Sequence, residues 1–148
     1  MKIERIWAMP NKKTFQIKPI KELLLSEFSQ GSVVLDPFPY EYSVDATELL
    51  NSVGDNSYEF AVFDPPYSPR QLKEMYNNKG EYDTKASTWS NWKNIYSRKI
   101  KKGGISISFG WNSGGMGKNR GFEIIEILLL AHGGMHNDTI VTVERKVA

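Results

Sequence analysis

Residues Glu59 to Gln71 read EFAVFDPPYSPRQ, an apolar run that breaks into Asp64-Pro65-Pro66-Tyr67. Phe60 to Phe63 has the length and apolarity of a buried strand, and the two prolines end it. Neither has an N–H to donate to a sheet ladder, and each restricts the residue before it. The strand therefore finishes on a carboxylate, a stiff backbone carbonyl and an aromatic ring. A turn with a solvated Asp and a packed Tyr is the plainest account of four such residues, so the surrounding chain has to decide.

Two more strands end in the same manner. Ser32 to Leu35 runs into Asp36-Pro37-Phe38, and Ile105 to Phe109 runs into Gly110-Trp111-Asn112. Between them lie segments of helical spacing. Ile17 to Phe28 places Ile20, Leu23, Leu24 and Phe28 on one face, with Pro19 near its start and Gly31 beyond its end. Ala46 to Val53 follows Asp45 as a candidate N-cap. Pro69 to Tyr76 and Thr88 to Lys101 also read as helices, with a polar loop from Asn77 to Ala86 between them. The spacing predicts an apolar helix over Glu123 to Ala131 and a last strand over Thr139 to Glu144. Strands separated by helices predict an α/β fold with a mainly parallel sheet, helices on both faces, and one domain over residues 1–148. In such sheets ligands bind beyond the carboxyl ends of the strands, where all three unusual strand ends would converge.

Composition narrows the chemistry. The chain has 148 residues, 40% of them hydrophobic, and no cysteine, which removes disulfides, thiolate catalysis and cysteine-based zinc sites. Its two histidines, His132 and His136, are separated by Gly133-Gly134, which breaks the helix needed to align them on a metal. The amino terminus has no signal-peptide pattern and no segment reaches membrane-spanning length, so a soluble, cytoplasmic protein without a membrane partner is expected. No acid falls between Asp83 and Glu123, whereas Lys85, Lys93, Arg98, Lys99, Lys101, Lys102, Lys118 and Arg120 do. Trp89, Trp92, Tyr96 and Trp111 lie among them. Cations interleaved with aromatics suit a phosphate backbone and unstacked bases, while a solvated helix face is the blander account. The stretch GWNSGGMGKNRG lacks the spacing of a phosphate-binding P-loop, because Asn112 and Asn119 stand where a glycine and a Ser or Thr belong. Trp111 is the candidate for base stacking, with Lys118 and Arg120 on phosphate. Trp7 and Phe15 read most simply as packing residues.

Asp64-Pro65-Pro66-Tyr67 closing a strand resembles the catalytic motif of the S-adenosylmethionine-dependent DNA amino-methyltransferases, which modify adenine N6 or cytosine N4. IKPIKELL is similar to the segment that packs beside the cofactor, which would give Lys18 and Pro19 that place. GSVVLDPF resembles the first strand with its cofactor-binding acid, which would give Asp36, Pro37 and Phe38. VDATELLNSV is similar to the segment whose Asp reaches the cofactor adenine, here Asp45 with Ala46. The remainder, KKGGISISFGWNSGGMGKNRGF included, resembles small methyltransferase-like proteins of phages and mobile elements. The resemblance implies a Rossmann-like methyltransferase core, S-adenosylmethionine as cofactor, DNA as partner, and Tyr67 stacking on a base flipped from the duplex.

The chain departs from that pattern in two places. No glycine follows DPF, and only Pro39 to Ala46 separate Phe38 from Thr47, too few for a second strand and its return. The sheet is therefore expected to be truncated between its first and third strands, and Glu41 is a weak substitute for the missing ribose-binding acid. A separate target-recognition region is expected to be absent as well; only the Asn77 to Ala86 loop and the basic helix after it could serve, so specificity is expected to be weak, or to be supplied by a second copy in a homodimer or by a partner subunit. The alternative is a degenerate member that binds nucleic acid or a partner without transferring a methyl group.

Overall fold

The computed structural model describes residues 1–9, 14–28, 33–38, 46–65, 86–133 and 138–148. Pro66, Tyr67, Asp45, Glu41, His136 and the expected helix from Pro69 to Tyr76 lie outside them. The described elements are β1 (Lys2–Trp7), α1 (Lys18–Glu27), β2 (Val34–Leu35), α2 (Ala46–Asn51), β3 (Tyr58–Phe63), α3 (Ala86–Lys99), β4 (Ile100–Gly110), β5 (Phe122–Ala131) and β6 (Thr139–Lys146).

The strands form one six-stranded sheet in the order β1-β5-β6-β4-β3-β2. Neighbours β2, β3 and β4 are parallel, as are β1 and β5, and β6 runs antiparallel between β4 and β5. A two-residue β2 suffices because Leu35 pairs with Ala61 and is itself buried. Alternation along the strands sorts side chains onto two faces. Val62, Ile105, Ile107, Phe109, Val141 and Val143 point to α1, which contributes Ile20 and Leu23. Leu35, Ala61 and Phe63 point the other way, to α2 and α3, where Leu50, Trp92 and Tyr96 are fully buried. Helices thus cover both faces of a mainly parallel α/β sheet, as the alternation of elements predicts.

Aromatic edges hold the second face together. Phe38 meets Phe63 at 5.4 Å and Trp92 at 4.8 Å between ring centres, both near-perpendicular, a geometry that contributes about 1 kcal/mol per pair beyond burial. Lys146 donates to the carbonyls of Ser97 and Ile100, each at 2.8 Å, so a cation closes the carboxyl end of α3 where the helix dipole favours it.

Two expectations are corrected. Glu123 to Ala131 is the strand β5, not a helix. Ile124, Ile125 and Ile127 are β-branched and stiff at χ1, and β5 is paired on both edges, by β1 and by β6. A strand with partners on both sides and apolar groups on both faces reads as a continuous apolar run, which periodicity cannot separate from a buried helix. The partner β1 had no signal of its own, because KIERIW mixes charged residues with apolar ones of which Ile3 and Trp7 stay exposed and only Ile6 packs on the core. Trp7, in particular, is 61% exposed and not a core residue, whereas Phe15 does pack, 5.5 Å from Phe109.

Candidate functional site

Parallel pairing places the ends of β2, β3 and β4 on one edge. Leu35 is level with Ala61, and Phe63 with Ser108. Asp36 leaves β2 there, and Asp64 leaves β3 about 7 Å further along the strand direction. Asp64 is half-buried and Pro65 buried. The same edge receives the start of α1, since Phe15 at its approach rests on Phe109 at the end of β4, while Phe28 past its end rests on Phe60 near the start of β3. Lys18 and Pro19 therefore stand at the carboxyl edge, in a cleft of about 540 Å³ lined also by Ile6, Ala8, Ile17 and Glu22. His132 seals the far end of this edge, its ring nitrogens 2.8 Å from the Ala8 carbonyl oxygen and 2.8 Å from the Thr139 hydroxyl.

At this edge the carboxyl group of Asp36 is perturbed. Asp36 accepts the Phe38 N–H at 3.0 Å, yet burial dominates and lifts its pKa from 3.8 to about 6. A carboxyl raised in this way binds its proton more tightly folded than unfolded, so its stabilising contribution is complete below pH 3.8 and is lost as pH rises through about 6. The shift corresponds to at most about 3 kcal/mol. Asp36→Asn keeps an oxygen for Phe38 and removes the ionisation. It is expected to melt with the parent at pH 4 and roughly 5 °C or more above it at pH 7; equal melting at both values would place Asp36 in a solvated setting.

The remaining site candidates divide by position. Phe38 and Ala46 are sunk in the core between α2, α3 and the sheet, exposed by 3% and 0%. They hold the edge in place and offer no surface to a ligand. Pro37 is buried beside them. Lys99, Lys101 and Lys102 lie at the opposite edge, where β4 begins. The distance from there to the level of Asp64 is roughly 20 Å of strand. Lys99 is also turned inward, 6% exposed and 2.8 Å from Asp55, and Lys101 reaches Glu59 at 4.0 Å. These three cannot serve a base held at Asp64.

Sequence reasoning missed why the glycine-rich stretch has its shape. It precedes β5, not a helix, and crosses β6 on the α3 side to join two parallel strands. Glu144, fully buried on β6, accepts the amides of Met116 at 2.7 Å and Gly117 at 3.0 Å. Burial raises its pKa, opposed by those two amides. Arg120 then fastens the stretch to α3, donating to Asn94 at 2.9 Å, to the Met116 carbonyl at 3.0 Å and to the Ser90 hydroxyl at 3.2 Å. With its guanidinium so engaged, Arg120 staples the glycine-rich stretch to α3. Trp111, 50% exposed at the end of β4, and Lys118, exposed, remain at the surface. Among the described residues there is no grouping of metal-ligating side chains, and no helix long and apolar enough to cross a membrane.

No protein-family model matches the chain, and no curated protein does. Among solved structures it is similar to a candidate DNA modification methylase from Thermus thermophilus, at 14% identity and a TM-score of 0.47, over 78% of this chain and 52% of that one. The chain spans about half the length of the structure it matches. A likeness at that score does not decide what this chain does.

Proposed function

We propose that the chain is a compact Rossmann-like methyltransferase core that uses S-adenosylmethionine to methylate an exocyclic base amine in DNA, adenine N6 ahead of cytosine N4. The observation that carries this reading is Asp64-Pro65 at the carboxyl end of β3, an interior strand flanked on both sides by parallel strand ends. An exocyclic amine is a poor nucleophile because its lone pair is delocalised into the ring. The Asp64 carboxylate and the Pro65 carbonyl can accept its two N–H bonds, which turns the lone pair out of the ring plane and holds it in line. Two successive prolines fix the direction of that carbonyl. The Asp64 carboxylate is also placed to hold the proton the amine gives up.

The cofactor supplies the electrophilic methyl group. Asp36 at the end of β2, next to Asp64, is the residue that would hold it, whereas the cleft of Lys18 and Pro19 opens toward the end of β1 at the other edge of the sheet. The fit is incomplete on one side: β2 is the edge of the described sheet, and Phe38 turns from it into the core. That observation favours a second reading, in which the chain binds nucleic acid or a partner and transfers nothing. Calorimetric titration with S-adenosylhomocysteine separates the two. Micromolar affinity is expected; no heat at high protein concentration would leave only the second reading standing.

A further inference from the structure

The α3-facing side of β4 and β6 carries polar groups where a helix-covered sheet is ordinarily apolar. In one row, Ser106 hydrogen-bonds the Tyr96 hydroxyl at 2.8 Å, and its register partner Glu144 takes the loop amides. The next row toward the carboxyl edge is different. Ser108 and Thr142 are register partners, exposed by 8% and 1%, and neither hydroxyl has a hydrogen-bond partner among the described residues. An unmet buried hydroxyl is destabilising, and two side by side are uncommon in a native interior.

A glycine and a cation adjoin them. Gly110 follows Ser108 on the same face and is buried, yet no described atom lies within 4 Å of the place a Cβ would take. Lys93 reaches in from α3 with its ammonium 5.9 Å from the centre of the Phe63 ring, and Phe63 is the register partner of Ser108. Lys93 is half-buried and makes no ion pair with a described carboxylate. Strands stand about 4.8 Å apart, so Phe63, Ser108 and Thr142 form one row with Lys93 above it. One step along β3 from that row is Asp64-Pro65.

We propose that Ser108, Gly110, Thr142 and Lys93 form a binding pocket for an oxyanion, the phosphate of a nucleotide. Two hydroxyls and an ammonium can all donate to one group of several acceptor oxygens, and a backbone without a side chain leaves room for it. Glu144 does not oppose such a ligand strongly, since both its oxygens accept amides and the positive charges of Lys93 and Arg120 act on it. Assigning the nucleotide to DNA rests on the proposed function; the anion pocket itself does not.

The test titrates the full chain with deoxyadenosine 5′-monophosphate, with deoxyadenosine and with inorganic phosphate, following affinity by calorimetry and the Gly110 amide by NMR. The monophosphate is expected to bind at least tenfold tighter than the nucleoside, with the Gly110 resonance shifting for it and for phosphate. Gly110→Ala adds a methyl group that meets no described atom, so it should fold, and it should weaken the monophosphate tenfold or more. Lys93→Met should do the same. Thr142→Val should melt at or above the parent while losing affinity, a split that a merely structural threonine would not produce. Monophosphate binding no tighter than nucleoside, or unchanged affinity in Gly110→Ala, overturns the pocket. Monophosphate binding without any S-adenosylhomocysteine binding would keep the pocket and remove the methyltransferase reading.

Discussion

Asp64→Asn is expected to lower methyl transfer to DNA by about 10²–10³-fold, the usual consequence of removing one aimed electrostatic group from a transition state. The replacement has the same shape but puts an N–H donor or a neutral carbonyl where the amine needs a charged acceptor. Because Asp64 sits at the strand end and is only half-buried, the melting temperature should move by no more than a few degrees. Affinity for S-adenosylhomocysteine should be unchanged, since Asp64 addresses the amine and not the cofactor. The measurement is transfer of labelled methyl to DNA at saturating cofactor, with the titration run on the same preparation. A parent chain that binds the homocysteine and a variant that transfers as fast would remove Asp64 from the chemistry. The idea of an amine clamp would go with it.

The strand end that would carry the proposed clamp was legible in the sequence because it is local. A strand, a carboxylate and two prolines are read from seven adjacent residues, and parallel pairing then places Asp64 and Pro65 at a carboxyl edge without further choice. The basic run could not be placed from the sequence for the opposite reason. Lys99, Lys101 and Lys102 are close in sequence to Trp111, but they stand at the start of β4, which runs for eleven residues from Ile100 to Gly110, and a strand converts that separation into distance. A helix would have folded much of it back. The strand β5 was illegible for a third reason. Its apolar groups serve both faces and both edges, so neither a period of 2 nor a period of 3.6 shows, and its partner β1 keeps Ile3 and Trp7 exposed. Glu144 gave no warning at all: an acid in an alternating strand reads as solvent-facing until the loop that covers it is in place.

That buried acid carries the largest expected effect on stability. Glu144→Ala would leave the Met116 and Gly117 amides without an acceptor, at roughly 1–3 kcal/mol each. It would also remove the negative charge beside Lys93 and Arg120. A loss of about 3–5 kcal/mol follows, in the range for breaking a buried charged network, or on the order of 10 °C in melting temperature for a chain of this size. Gly115 offers the control. A Cβ there would overlap the Glu144 carboxylate, and the backbone is left-handed at φ +50°. Gly115→Ala alone should therefore destabilise through both the overlap and the φ angle. In the double variant the overlap is gone, and only the backbone term, about 1 kcal/mol, adds to the loss from Glu144→Ala. The two single losses should then exceed the double loss by about 1 kcal/mol or more, the sign of residues in direct contact. Strict additivity in thermal and denaturant unfolding would mean that the loop is not held by this carboxylate, and that its glycines answer to something else.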